Sequence, residues 1–188
     1  MSEKRQSGVG RARYSRTMTN RSAPFTAPPF LVRVTSPIGR LELTSDGTSV
    51  TSLLIARDGV LPRDGVDDNP VAVLDTAATQ LDEYFAGDRH SFDLPVAAHG
   101  TQFQQQVWKQ LSGLGWGEVA SYGDIGRATG RPTAGRAVGG AVGANPVTII
   151  VPCHRVLANN GRITGYSGGN GIPTKVWLLE HEGIPHSV

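Results

Sequence analysis

A single cysteine, Cys153, stands in the whole 188-residue chain. One thiol excludes an intrachain disulfide, and it excludes the cysteine-rich clusters that hold structural zinc. Long hydrophobic runs are missing as well. The longest, Val147–Val151, is interrupted by Thr148 and falls far short of the roughly 20 residues a bilayer span requires. No apolar stretch of the secretory kind opens the chain, so the expectation is a cytoplasmic protein with no membrane partner, no metal and no cofactor. A hydrophobic content of 38% supports an ordinary soluble core.

Acidic residues are scarce at one end only. Residues 1–30 carry six Lys/Arg against one acid, residues 31–98 five against eleven, and residues 99–188 seven against four. The net charge of +2 therefore hides a basic tail, an acidic middle and a mildly basic C-terminal half. An anionic partner would meet the two basic ends; solvated charge with no partner is the plainer alternative.

Residues 1–29 are rich in Arg, Ser, Thr and Pro, with little to bury, and are expected to be a disordered basic tail. The same composition describes an organellar transit peptide, and Met18 is an alternative start. From Phe30 the pattern changes. Phe30–Thr35, Arg40–Thr44 and Val50–Ile55 predict short strands, separated by the turn sequences Ser36-Pro-Ile-Gly39 and Ser45-Asp-Gly47. A helix is expected over Val73–Ala86, with Leu74, Ala77, Ala78, Leu81 and Phe85 on its apolar face. Nothing in residues 30–98 forms a catalytic constellation, so this domain is expected to be a scaffold.

The second half, residues 99–188, carries more signals. Thr101-x-x-Gln104 is a capping box that starts a helix whose apolar face is Phe103, Val107, Trp108 and Leu111. Ser121-x-x-Asp124 starts another, ending near Thr129, and a further helix is expected over Thr133–Gly143 after the turn Gly130-Arg-Pro132. Two short helices across such a turn outline a helix-turn-helix. The second breaks the propensity rules, since each interior glycine costs roughly 1 kcal/mol relative to alanine. Gly135, Gly139 and Gly143 recur every four residues and make one smooth face beside Arg136. That face serves either tight packing on a neighbouring helix or close approach to nucleic acid, and a helix without Asn, Gln or several Arg is poorly equipped to read base edges. A last helix is expected over Pro173–Glu182, with Gly183 past its end.

A lone cysteine is ordinarily a small buried hydrophobe. Here Pro152 fixes the backbone before Cys153, an apolar strand is expected to lead into it, and His154 follows with an imidazole. The run Pro152-Cys-His-Arg-Val156 resembles the active-site signature of the O6-alkylguanine-DNA alkyltransferases. Around it stand Gly117-Glu-Val-Ala-Ser-Tyr-Gly123, Arg136-Ala-Val-Gly-Gly140, Asn145-Pro146, Gly165-Tyr-Ser-Gly-Gly169 and Trp177-Leu-Leu-Glu-His-Glu-Gly183, in the family's order. The resemblance covers roughly residues 30–184.

The resemblance implies an α+β chain: a small ribonuclease H-like domain over residues 30–98, then a helical, winged-helix-like domain with the helix-turn-helix over residues 99–188. It implies single-use transfer of an alkyl group from O6-alkylguanine, with O4-alkylthymine as a further substrate, in double-stranded DNA to Cys153. His154, acting through a water, is then the base and Glu182 orients it; Asn145 is the hinge between helix-turn-helix and active site. Flipping of the nucleotide is implied, with Arg136 filling the vacated place and Gly135, Ala137 and Gly139 on the surface that meets DNA. Tyr122 presses on phosphate and donates to the departing guanine. Backbone groups of Cys153, Val156 and Ser167 hold the base edge, and Tyr166 walls the pocket. The protein is expected to act as a monomer, with cooperative assembly on DNA left open. Thr148 stands where some relatives have proline, which bears on bulky alkyl groups. A non-catalytic damage binder, an alkylation-sensing regulator and a cysteine hydrolase are the rival readings; the presence of Cys153 and the poor base readout of the glycine face argue against the first two.

Overall fold

A computed structural model describes residues 30–188; the basic tail expected over residues 1–29 lies outside the described residues. Strands β1 (Phe30–Ser36), β2 (Gly39–Ser45) and β3 (Val50–Ile55) form an antiparallel meander in chain order. Gly39 and Gly47 lie at φ 108° and 107°, a backbone conformation open to glycine and strained for other residues. Helix α1 (Ala72–Ala86) packs on this sheet through Leu74, Ala77, Leu81 and Tyr84. Tyr84 rather than Phe85 ends the buried stripe, and Phe85 is only partly covered.

Strand β2 is covered on both faces. Leu41 and Leu43 face the hydrophobic core, while Glu42 and Thr44, on the opposite face, are equally buried. Glu42 is paired there with Arg63, at 2.6 Å from its Nη1 and 3.0 Å from its backbone N–H. Alternation along the strand does not reveal that second cover, because the covering loop is remote in sequence.

Helices α2 (Gln102–Leu111) and α3 (Tyr122–Ala128) begin at the two expected capping boxes, each with both reciprocal bonds. Helix α4 (Gly135–Gly143) starts two residues later than expected. Pro132 and Thr133 are used up in the turn, where the Ala134 N–H donates to the Arg131 carbonyl at 3.1 Å. Helix α4 buries Val138, Ala141 and Val142, and the Trp108 Nε1–H donates to the Ala141 carbonyl at 2.8 Å. The glycines of that face do not serve tight helix packing: among the described residues a Cβ added at Gly135 would meet nothing within 4 Å, and one at Gly139 or Gly143 would make only ordinary contact, with Tyr122 at 3.8 Å or the Ser167 hydroxyl at 4.0 Å. The close approach is at Gly126 in α3, where a Cβ would lie 2.9 Å from the Arg131 carbonyl oxygen.

Strands β4 (Ala120–Ser121) and β5 (Val156–Leu157) pair in parallel, and α5 (Ile172–His181) closes the chain with Glu182 as its C-cap and Gly183 beyond at φ 68°. The strand expected over Val147–Val151 is instead a turn. Only Val147 pairs, in an isolated bridge with Leu53. The Val151 N–H returns to the Val147 carbonyl at 2.9 Å, and Ile149 sits at φ 71°. Asn145 enforces the turn, its Nδ2 donating to the Val151 carbonyl at 2.7 Å and its Oδ1 accepting from Val147 N–H at 3.1 Å. Leu53 supplies the other hold, its carbonyl accepting from the Thr148 hydroxyl at 2.8 Å. These bonds offset a left-handed β-branched residue, which costs on the order of 1–3 kcal/mol.

Candidate active site

That turn delivers Cys153 to the start of a short 3₁₀ turn, Cys153–Arg155, at the inner end of a pocket of about 230 Å³. Tyr122 from the start of α3, Gly139 from α4, and Tyr166 and Ser167 from the loop before α5 line the same pocket, as do Thr164 and Lys175. Eight predicted residues, Cys153, His154, Glu182, Asn145, Tyr122, Gly139, Tyr166 and Ser167, are thus brought to the pocket or directly behind it. Arg136, Gly135 and Ala137 lie on the exposed face of α4. Val156 is buried outside the pocket lining, and its carbonyl accepts a 2.6 Å hydrogen bond from Lys175 Nζ.

Behind the cysteine lies a buried polar cluster. His154 Nε2 is 2.9 Å from Glu182 Oε1. Arg155 donates from Nη2 to Oε1 at 2.8 Å and from Nε to Oε2 at 2.7 Å, and the Tyr84 hydroxyl donates to Oε1 at 2.8 Å. Burial alone would raise the Glu182 pKa, but the hydrogen bonds from His154 and Arg155 overcome it and hold the carboxylate at about 2. Burial depresses the His154 pKa; the Glu182 bond works against this, and the charges of Arg155 and Lys175 reinforce it. The imidazole is therefore neutral at physiological pH, and its Nδ1 is buried with no hydrogen-bond partner among the described residues.

Burial pushes the Cys153 thiol up, opposed by the Asn145 amide, the Tyr166 hydroxyl and the Lys175 charge. The Tyr166 hydroxyl lies near the sulfur yet makes no hydrogen bond of full geometry. The resting group is the thiol. Tyr122 contributes an oxygen that accepts from the Thr164 hydroxyl at 3.2 Å, which leaves its own O–H free to donate into the pocket.

The arrangement places a thiol at one end of a pocket bordered by an open helix face, and behind it a neutral imidazole bonded to a carboxylate. That is the grouping nucleophilic catalysis by cysteine needs. Comparison with known proteins agrees. Residues 33–98 match the ribonuclease-like domain of 6-O-methylguanine DNA methyltransferase, and residues 102–184 match its DNA-binding domain. A methylated-DNA–protein-cysteine methyltransferase of Mycobacterium bovis is 45% identical over 150 residues, covering 79% of this chain and 89% of the relative. This chain belongs to the methylated-DNA–protein-cysteine methyltransferase family. The Shigella flexneri member is 52% identical over 105 residues, 55% of this chain and 60% of that protein. The Mycobacterium tuberculosis OGT crystallised in complex with DNA superposes with a TM-score of 0.71 at 44% identity, over 80% of this chain and 90% of that one. The fold is accordingly a ribonuclease-like N-terminal domain followed by a helical DNA-binding domain.

Sequence reasoning missed three groups at the site. Lys175, almost fully buried, has a pKa lowered to about 8 by burial, with Cys153 pulling the other way. Its signal was present: Lys175, Leu178, Leu179 and Glu182 fall at i, i+3, i+4 and i+7, one face of α5. Tyr84 and Arg57 come from the half expected to be only a scaffold. Arg57 donates from Nε to the Gly169 carbonyl and from Nη2 to the Ser167 carbonyl, both at 3.1 Å, tying down the pocket loop. Nothing local to either residue announces a contact about a hundred positions away.

Proposed function

We propose that this chain repairs DNA by direct reversal, taking the alkyl group from O6-alkylguanine in duplex DNA onto Cys153 in one irreversible event. The observation that carries the reading is the buried thiol at the end of a pocket that opens beside the glycine face of α4, backed by a neutral His154 held on Glu182. The target carbon is inaccessible in a stacked duplex, so the nucleotide is flipped into the pocket. Arg136 is exposed on α4 and has no partner among the described residues, so it can enter the stack, and Gly135, Ala137 and Gly139 let the sugar-phosphate backbone come close.

The thiol proton passes through a water to His154 Nδ1, while Nε2–H stays on Glu182. The sulfur attacks the alkyl carbon, an S–C bond forms, and the O6–C bond breaks with its electron pair left on guanine. The free hydroxyl of Tyr122 donates to that leaving base. Asn145 holds the turn that aims the sulfur, Tyr166 walls the pocket, and backbone groups at Cys153 and Ser167 hold the base edge. Val156 supports the site from outside, through the Lys175 ammonium. A thioether lacks the electrophilic carbonyl through which a thioester is hydrolysed, so the sulfur is consumed.

The chain acts in the cytoplasm as a monomer, its catalytic half beginning near residue 99. No helix among the described residues is long and apolar enough to cross a membrane. Excess labelled O6-methylguanine DNA mixed with a known amount of protein tests the mechanism. One label per chain, lost in Cys153→Ser, is expected; continued turnover would point to a hydrolase and defeat the proposal.

A further inference from the structure

The Glu182 carboxylate accepts from four donors: His154, the two Arg155 nitrogens and Tyr84. Each of its oxygens offers about two acceptor positions. Three of these donors converge on Oε1, the oxygen that His154 uses. Two of the three are close in sequence to the cysteine. The third, Tyr84, comes from α1 in the N-terminal half.

We infer that Tyr84 is a positioning residue of this site, its hydroxyl setting how strongly Glu182 accepts from His154 and thus the pH at which His154 can take the thiol proton. The inference rests on the relay proposed above. A donor on Oε1 draws charge from that oxygen and weakens its hold on an imidazolium Nε2–H. With Tyr84 in place, His154 stays a neutral base over a wider pH range; without its hydroxyl, Oε1 stabilises the imidazolium better and His154 protonates more readily.

Tyr84 cannot swing away from this duty. Its ring is packed against Phe85, Phe92, Trp116 and His181, with centroids 5.1–5.5 Å apart, and its carbonyl is 2.7 Å from His181 Nε2. Burial, and then the negative charge of Glu182, push its phenol far above the usual range, so it remains a donor. The other ionisable groups facing the cluster are Arg155 against Glu182, and Lys175 and Cys153 on the pocket side. His181 lies against the Tyr84 ring, and His90 stacks on Trp116 beyond it. Of these only Arg155 shares the carboxylate oxygen with His154 and Tyr84.

The test is an NMR titration of the His154 imidazole in the full chain, assigned with His154→Gln, beside single-turnover transfer measured against pH. Tyr84→Phe keeps the ring and its packing but removes the donor. It should raise the His154 pKa by about one unit, the scale of one charge-assisted hydrogen bond. The acid limb of the transfer rate should move up with it. Replacing Tyr84 with 3-fluorotyrosine, a stronger donor, should move both the opposite way. A His154 pKa unchanged in both proteins, or shifted in the same direction by both, would overturn the inference and leave Tyr84 a packing residue. If the His154 pKa moves in opposite senses but the rate profile does not follow, Tyr84 keeps its hold on His154 and the relay falls instead.

Discussion

Replacing Glu182 by glutamine separates the two duties of this carboxylate, one in the fold and one in the chemistry. The amide presents one carbonyl oxygen and one NH₂ group where the carboxylate accepts from four donors. At least one of Arg155, Tyr84 or His154 then faces an N–H, and Arg155, whose side chain is only 6% exposed, loses its counter-charge. Removing one partner of a buried ion pair costs roughly 3–5 kcal/mol. In a chain of this size each kcal/mol is about 2–4 °C of Tm, so calorimetry should show a fall of roughly 6–20 °C. Transfer should slow by about 10²–10⁴, the usual contribution of a general base. The pH profile should also change form. Burial holds the Cys153 pKa up, so without an effective base the rate should climb with pH as the thiolate fraction grows. His154→Gln leaves the Arg155–Glu182 pair in place and should reproduce the slow, steeply pH-dependent transfer with a smaller loss of stability. Two variants that react at the wild-type rate, measured by single-turnover quench, would refute the relay whatever happens to Tm.

Arg136→Ala should cut repair of duplex DNA far more than attack on the free modified base, which needs no flipping; equal losses would remove it from the flipping step. Gly126→Ala should destabilise the chain in thermal unfolding, because the added carbon meets a backbone oxygen at 2.9 Å. Gly140→Ala should stabilise it by about 1 kcal/mol in the same assay, because its Cβ would meet nothing within 4 Å among the described residues. Both His154 and Glu182 have folded pKa values depressed below their unfolded ones. Their stabilisation is full above about 6.5 and is lost as pH falls toward 2. Urea titrations should show that loss, and much of the part below about 4.5 should disappear in Glu182→Gln. Arg57→Ala should slow transfer from the free base and from DNA alike, with DNA affinity unchanged, since its bonds are to the pocket loop and not to the helix-turn-helix.

The sequence alone determined the features that are local. Capping boxes at Thr101 and Ser121, turn glycines at Gly39 and Gly47, and the stop at Gly183 each work through bonds or dihedrals within a few residues. Helix starts and strand ends could therefore be placed within two residues. The run from Pro152 to Val156, with the five motifs around it, carried the family resemblance and so the acceptor cysteine. What the sequence could not determine depends on partners remote along the chain. Val147–Val151 has the composition of a strand, yet Asn145 and the Leu53 carbonyl close it into a turn. The α4 glycines were compatible with packing or with an open face, and only the position of the neighbouring helices decided for the open one. Tyr84 and Arg57 reach the site because the sheet and α1 pack against the catalytic half. A pKa is the most tertiary quantity of all: the His154 imidazole stays neutral because burial, Arg155 and Lys175 outweigh the carboxylate beside it, and these groups meet only in the folded chain.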